Sequence, residues 1–198
     1  AVKQIELAKR MGAQVTAEVT PHHFTLTEEA VETYGTMAKM NPPVRSKRDR
    51  FELLNGLKHG VIDLIATDHA PHTTAEKEKP FAQAPSGIVG LETALGLAEC
   101  YLIRKGHITL SKLIELLSWA PAKLYGLDAG YLAPGGPADL VIFSEQEPWK
   151  VENLMSRSQN TPFLGQTLYA KVKYTICAGK IVYSDSELHS TRESELKI

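Results

Sequence analysis

The sequence predicts an α/β fold in which parallel strands precede a region of short antiparallel strands. Residues 14–20 alternate and are rich in β-branched side chains, and residues 61–67 form a short apolar run, so both segments are typical of strands. A helical pattern lies between them, and a strand, a helix and a second strand in this order form a unit with parallel strands. After Gly126, alternating segments at 171–177 and 180–183 indicate a hairpin.

Helix signals surround the two predicted parallel strands. Residues 1–11 have the apolar spacing of an amphipathic helix and end at Gly12. Ser46, with Asp49 three residues later, is a typical N-cap, and the helix that it opens ends at Gly60.

Three further helices are predicted in the first 125 residues, at 27–34, 87–105 and 109–119, the last opened by Thr109. Residues 138–143 then form an apolar strand, while 160–163 are expected to be loop. The sequence therefore divides into a predicted first domain at 1–125, a small β domain at 126–184, and a polar tail at 185–198 that we expect to be disordered.

Composition excludes several classes of protein. The chain has 198 residues, of which 43% are hydrophobic and 23% charged, with a formal net charge of −1 and no basic stripe. This balance gives no support for nucleic-acid binding, and no apolar run is long enough to span a membrane. Cys100 and Cys177 lie far apart in apolar segments, so we expect buried thiols and a reducing, cytoplasmic location.

One aspartate and two histidines follow the second predicted strand within five positions, as Asp68, His69 and His72. Catalytic groups gather at the carboxyl ends of parallel strands, and a carboxylate beside imidazoles suits metal-assisted hydrolysis. Asp68 could instead be an ordinary loop cap, and the histidines could be surface residues. The polar loop at 73–86 favours a function, because long loops without secondary structure of their own are usually functional or disordered.

Two other segments carry candidate groups. In Asn41-Pro42-Pro43 the prolines restrict the backbone to an extended form, which presents the Asn41 amide on a rigid platform; a plain turn is the alternative. His22 and His23 follow a predicted strand, where a histidine pair could bind a metal. An ordinary packing role is at least as plausible, because neighbouring side chains on extended backbone point to opposite faces.

Three motifs resemble the dihydroorotases of the amidohydrolase superfamily. They are EVTPHH at 18–23, KMNPPVR at 39–45 and ATDHAPH at 66–72, and they occur in the family's order. The resemblance extends to about Tyr183 and covers the later part of the family's sequence. It implies that the fold is the carboxy-terminal part of a TIM-type (β/α)₈ barrel of a metal-dependent hydrolase, joined to a small β-sandwich-like domain.

The resemblance also implies roles for individual residues. Asp68 matches a metal ligand and general acid/base, and Asn41, His72, Ser86 and Gly87 match substrate-binding positions. The implied cofactor is zinc, as one or two ions, and the implied reaction is the reversible hydrolysis of dihydroorotate to N-carbamoyl-L-aspartate in pyrimidine biosynthesis. Ser86 departs from the family's pattern, because several relatives have an aromatic residue at this position. His69 is expected to support the site. Arg45 could form a salt bridge or anchor the substrate, and the salt bridge is favoured.

The remaining metal ligands of the family have no counterpart in this sequence. A complete (β/α)₈ barrel takes roughly 250 residues, and the chain opens inside a predicted helix, so we expect a carboxy-terminal fragment that is inactive alone. Alternatives are another cyclic-amide hydrolase, such as an allantoinase or hydantoinase, and a non-catalytic subunit that partners aspartate transcarbamoylase. Expected partners are a small-molecule substrate and either a second copy of the chain or that transcarbamoylase.

Overall fold

The computed structural model describes residues 1–185 and has the predicted α/β character. The helices are α1 (Val2–Arg10), α2 (Pro21–Thr25), α3 (Glu29–Tyr34), α4 (Lys47–Lys58), α5 (Thr74–Lys77), α6 (Ala94–Ala98), α7 (Leu110–Ile114) and α8 (Ala120–Tyr125). The strands are β1 (Glu18–Val19), β2 (Leu64–Ile65), β3 (Leu140–Ser144), β4 (Trp149–Lys150), β5 (Thr167–Leu168), β6 (Lys171–Cys177) and β7 (Lys180–Ser184). A 3₁₀ turn follows α3 at Gly35–Ala38, and π turns continue α6 and α7 at Glu99–Ile103 and Glu115–Trp119.

The predicted βαβ unit is confirmed, because β1 and β2 pair in parallel with α4 between them. Both strands are shorter than the predicted 14–20 and 61–67, since ladder hydrogen bonds join the described residues only around these few positions. Lys9 of α1 ties the start of β2 in place: its Nζ donates to Val61 O at 2.8 Å and to the Asp63 carboxylate at 2.6 Å.

The Ser46 cap is also confirmed. Ser46 Oγ accepts from Asp49 N, and the Asp49 carboxylate accepts from Ser46 N, each at 3.2 Å, which is a reciprocal capping box. The helix that follows buries Leu54 and Leu57 beneath the strand pair. Gly60, with φ of 71°, lies in the left-handed region just past its end.

The predicted helix at 87–105 begins later than expected, at Ala94. Ile88 instead forms a parallel bridge with His69, and Val89 N donates to Asn160 O at 3.1 Å. Backbone groups committed to these distant partners cannot enter a helix, so tertiary contacts override the apolar spacing.

His22 and His23 are a second correction, because they lie in α2 and not on extended backbone. Thr20 caps this helix, Pro21 occupies its first turn, and the two rings lie 4.5 Å apart. Proline is well tolerated in that position, since the first helical amide has no partner within the helix.

Two apolar clusters hold the structure together. The first lies between β1, β2, α4 and the long helical segments, and is formed by Val19, Phe24, Leu54, Leu57, Ile62, Ile65, Ala98, Leu102, Leu113 and Leu116. The second is formed by Met40, Val44, Ile88, Val89, Leu97, Val151, Leu154, Phe163 and Leu168. The second cluster joins side chains from both sides of residue 126, and the division into domains at that residue stays a prediction.

The hairpin predicted around Ala178-Gly179 is present, and β6 pairs with both β7 and β3 in an antiparallel sheet. Of the predicted tail, residues 186–198 lie outside the described residues. Asp185 is described, and its carboxylate accepts from Lys173 Nζ at 2.9 Å.

The cysteines differ from expectation in one respect. Neither forms a disulfide, as predicted, but Cys177 is exposed and only Cys100 is partly buried. Burial raises the pKa of the Cys100 thiol. None of the helices in residues 1–185 is both long and apolar enough to cross a membrane.

Candidate active site

Asp68 lies in a left-handed turn just beyond β2, with φ of 50° and an exposed side chain. This conformation is uncommon for residues with a side chain, although aspartate tolerates it better than most. Within residues 1–185 no hydrogen bond or ion pair engages its carboxylate. The carboxylate is therefore open to a ligand, which is what the predicted role requires.

His69 is fixed by the segment that follows Gly87. Its backbone pairs with Ile88, and its Nδ1 accepts a hydrogen bond from Gly90 N at 3.1 Å. Gly90 passes so close that an added Cβ would lie 3.0 Å from Thr67 O. The turn that contains Asp68 is thus held on both sides, and His69 contributes to holding it; its supporting role in the site stays a prediction.

His72 is half-buried and has a defined ring orientation. Its Nε2 donates to Ser86 O at 2.9 Å, because a carbonyl can only accept. In the neutral form of the ring, Nδ1 is then a hydrogen-bond acceptor. The backbone amide of His72 donates to Asn160 Oδ1 at 3.0 Å, which fixes the main chain as well.

Ser86 and Gly87 lie against the His72 loop in a conformation that requires glycine. Gly87 has φ of 107°, and a Cβ built there would lie 2.5 Å from Ala70 Cβ. Gly87 N donates to Lys39 O at 2.9 Å, which joins this loop to the segment that carries Asn41. The structure therefore brings together three predicted substrate segments that are far apart in sequence.

Asn41 itself is exposed, and its peptide bond to Pro42 is cis. His23 supports this platform, since its Nε2 donates to Pro42 O at 2.9 Å while Nδ1 lies 2.6 Å from Thr20 Oγ1. Arg45, expected in a salt bridge, has no ion pair in the described part of the chain. Its backbone oxygen accepts from Glu28 N.

Sequence reasoning missed the residues that hold the site in place. Asn160, expected to be plain loop, is 2% exposed, and its side-chain amide donates to Ala70 O and Gly87 O at 3.0 and 3.3 Å. Lys77, expected to be part of a polar loop, is 1% exposed. A local signal existed for Lys77, because Thr73 and Glu76 have capping-box spacing and open α5; none existed for Asn160.

His22 is buried beside the site but does not join it. Burial, and secondarily the neighbouring His23, lower its pKa to about 3. Its Nε2 has no hydrogen-bond partner among the described residues. His22 is therefore neutral at physiological pH and is a core residue.

A metal site is incomplete in the described chain. No group of three or more His, Cys, Asp or Glu side chains within residues 1–185 is placed to hold a metal ion. Catalytic zinc normally takes three protein ligands, so these residues do not by themselves fit the metal, and Asp68 could supply one ligand at most. One cleft in the described part of the chain, of about 970 Å³, is lined by α1, β1, Pro42, Pro43 and α4, and not by Asp68 or His72.

Comparisons with known proteins identify a family and named relatives. Residues 5–182 match the Amidohydrolase family. The chain is 54% identical over 183 residues to a protein named dihydroorotase from Clostridioides difficile, and 53% identical over 183 residues to one from Lactococcus lactis. Each alignment covers 92% of this chain but only 44% and 43% of the relative, so the chain spans less than half of their length.

Solved structures of the same kind share the fold. An L-hydantoinase (dihydropyrimidinase) from Arthrobacter aurescens is 32% identical with a TM-score of 0.85, over 92% of this chain and 42% of that one. A dihydropyrimidinase from Brevibacillus agri is 25% identical with a TM-score of 0.85, over 93% and 42%. The described residues thus have the fold of the later part of a TIM-type hydrolase barrel.

Proposed function

The chain belongs to the amidohydrolase family, and from that premise we propose that it forms the substrate-binding part of a dihydroorotase. The observation that carries the proposal is the linkage of the three predicted substrate segments, which contain Asn41, His72 and Ser86–Gly87, through Gly87 N to Lys39 O and His72 Nε2 to Ser86 O, beside the open carboxylate of Asp68. The proposed reaction is the reversible hydrolysis of dihydroorotate to N-carbamoyl-L-aspartate, a step of pyrimidine biosynthesis.

Hydrolysis breaks the ring C–N bond. The oxygen of a water molecule bonds to the carbonyl carbon, and a proton of that water ends on the leaving nitrogen. Asp68 takes this proton at a carboxylate oxygen and passes it to the nitrogen, as a general base and then a general acid. Its exposed position at the strand end, with no competing partner in the described residues, supports this role.

The other predicted residues bind and orient the ring. Asn41 presents an amide that can both donate and accept hydrogen bonds. Neutral His72 presents Nδ1 as an acceptor for a substrate N–H, because Nε2 is committed to Ser86 O. The Ser86–Gly87 backbone packs closely against Ala70 of the His72 loop, because no side chain intervenes at Gly87. Fixing the substrate against the carboxylate supplies part of the rate enhancement, because it removes the entropy cost of encounter.

Zinc remains part of this proposal, with Asp68 as one ligand of a site for one or two ions. Bound zinc would supply an activated water and polarise the carbonyl. The described residues do not complete such a site, so we expect the 198-residue chain alone to lack turnover. Association of the native protein as a homodimer, or with aspartate transcarbamoylase, stays a prediction.

The test has two parts. The purified chain, assayed with dihydroorotate in the presence of zinc, should show no turnover; zinc-dependent turnover would overturn the expectation of inactivity. In the native protein that carries this chain, Asp68→Ala should abolish turnover, whereas Asp128→Asn, which alters another exposed carboxylate, should retain it. An active Asp68→Ala variant would exclude the proton-transfer role.

A second candidate, supported by the hydantoinase structures, is a hydrolase of other cyclic amides. Turnover of dihydroorotate, allantoin and hydantoin, compared on one preparation of the native protein, separates these functions. Turnover of none of them would favour the non-catalytic subunit.

A further inference from the structure

Lys77 is the most deeply buried cation near the proposed site. Its side chain lies almost wholly out of solvent, and its Nζ donates to Pro85 O and to Gly87 O, each at 3.0 Å. Burying an ammonium group costs several kcal/mol unless hydrogen bonds compensate. The two acceptors flank Ser86, so the charge is placed where it fixes the backbone of the predicted substrate loop.

The position of Lys77 is itself fixed by other contacts. It ends α5, which Thr73 and Glu76 cap reciprocally, and its backbone oxygen accepts a hydrogen bond from Thr36 Oγ1. A long, flexible side chain is thereby held at its base and its tip. Because both ends of Lys77 are fixed, its Nζ can hold the Pro85–Gly87 backbone in one position, which a mobile surface lysine could not do.

Gly87 O is the point where this support converges. It accepts from Lys77 Nζ at 3.0 Å and from Asn160 Nδ2 at 3.3 Å, while Gly87 N donates to Lys39 O. Lys39 Nζ in turn donates to Phe81 O and Ala84 O, each at 2.6 Å, and so holds the residues that lead into Ser86.

We propose that Lys77 is a positioning residue of the reaction, which holds the Ser86–Gly87 backbone and, through Ser86 O, the ring of His72 in their substrate-binding arrangement. This inference rests on the proposed function, because it takes these groups to contact dihydroorotate. Lys77 touches neither substrate nor reacting atoms, so it acts through the loop. Its loss should weaken substrate binding more than the chemical step.

The experiment compares Lys77→Met with Lys79→Met in the native protein that carries this chain. Methionine keeps the length of the lysine side chain but donates no hydrogen bond, and Lys79 is an exposed lysine two residues away. We expect Lys77→Met to raise KM for dihydroorotate roughly 10- to 100-fold with a smaller fall in kcat, as misplacement of binding groups does. Lys79→Met should match the wild type.

A purely structural lysine would give a different result. Lys77→Met would then lower the unfolding temperature while KM of the folded protein stayed at the wild-type value, and that outcome would overturn the proposal. Partial rescue by Lys77→Arg, which restores charge and donors, would support it.

A milder variant covers the case in which Lys77→Met does not fold. Thr36→Val removes only the hydroxyl that holds the Lys77 backbone, and should raise KM in the same direction by a smaller factor. An unchanged KM in folded Thr36→Val would then overturn the proposal. If the wild type has no activity on dihydroorotate, the proposed function fails and this role fails with it; if the wild type is active and the variants match it, the positioning role alone fails.

Discussion

His22 shows how a single buried side chain can set the acid stability of the protein. It is 2% exposed, and its Nε2 has no partner among the described residues. An imidazole in that position can be accommodated neutral, but its protonation inside the fold is strongly unfavourable. Burial, followed by the charge of His23, lowers its pKa to about 3, against an ordinary value of 6.5.

The first prediction follows from this pKa. Between about pH 6.5 and 3 the unfolded chain binds a proton at His22 and the folded chain does not. As the pH falls below about 6.5, proton uptake at His22 in the unfolded chain therefore lowers the unfolding free energy; above that pH this loss is absent. His22→Gln should make the acid-side loss of unfolding free energy shallower by up to about 1.4 kcal/mol per pH unit, measured by urea unfolding at several pH values. His59→Gln, at an exposed histidine, should leave the slope unchanged, and equal slopes in all three proteins would refute the assignment.

Gly87 supports a second prediction at the same scale. Alanine there meets a left-handed φ of 107° and a clash at 2.5 Å with Ala70 Cβ, whereas Gly135, with φ of 82°, has no atom within 4 Å of an added Cβ. Gly135→Ala should cost about 1–2 kcal/mol of unfolding free energy from backbone strain, and Gly87→Ala a further 1–3 kcal/mol from overpacking. Urea midpoints measure both, and equal losses would mean that the loop relaxes around the clash.

At the scale of residues, the sequence predicts candidate site residues but not the residues that hold them in place. Asp68 and His72 lie in one short motif, at 66–72, so they could be proposed from residue type and order alone. Asn160 and Lys77 act through contacts with backbone carbonyls of other segments. No local sequence pattern predicts such a contact, because only the folded chain determines which carbonyl oxygen lies within hydrogen-bond distance of the side chain.

Among the elements, α4 was predictable because its start is encoded within four residues. Ser46 and Asp49 cap each other, and this hydrogen bonding lowers the pKa of the Asp49 carboxyl below its ordinary value of 3.8. The ionised Asp49 carboxylate therefore contributes to the unfolding free energy above about pH 3.8, and this contribution is lost as the pH falls through the pKa of Asp49 in the folded chain. The helix beginning at Ala94 was placed too early, because the bridge between Ile88 and His69 joins residues that no helical period relates.

Removal of the Ser46 hydroxyl gives the third prediction. Ser46→Ala should lower the unfolding free energy by about 1 kcal/mol, the usual loss for an N-cap, and should raise the pKa of Asp49, observed by NMR titration. Ser111→Ala, at an exposed serine inside α7, is the control and should be neutral or slightly stabilising, since alanine favours helix. Equal losses for the two variants would show that the capping box contributes nothing at Ser46.

For the whole molecule, the two apolar clusters bury the β1–β2 pair and the Ile88–Val89 segment that follows Gly87, but they leave the antiparallel sheet partly uncovered. Its edge strands are β3 and β7. Val141 and Ile142 on β3, and Ile181 and Val182 on β7, are each about half exposed or more. Sheet edges with exposed apolar side chains are templates for pairing with another chain. The sequence alone does not show which apolar side chains of this sheet stay exposed, because tertiary packing decides what covers the sheet.

The last prediction is that the isolated 198-residue chain associates with itself through this sheet. Ile181 is 60% exposed on an edge strand and pairs with Ile176 across the hairpin, so a lysine there would place a charge on the apolar edge without disturbing the core. Sedimentation velocity over a range of concentrations should show a rising mass for the wild-type chain. Ile181→Lys should weaken the association at least tenfold, about 1.4 kcal/mol. Leu132→Lys, at a highly exposed leucine outside the sheet, should not change it. A wild-type chain that stays monomeric would contradict the prediction, and association that Ile181→Lys leaves unchanged would place the contact elsewhere on the surface.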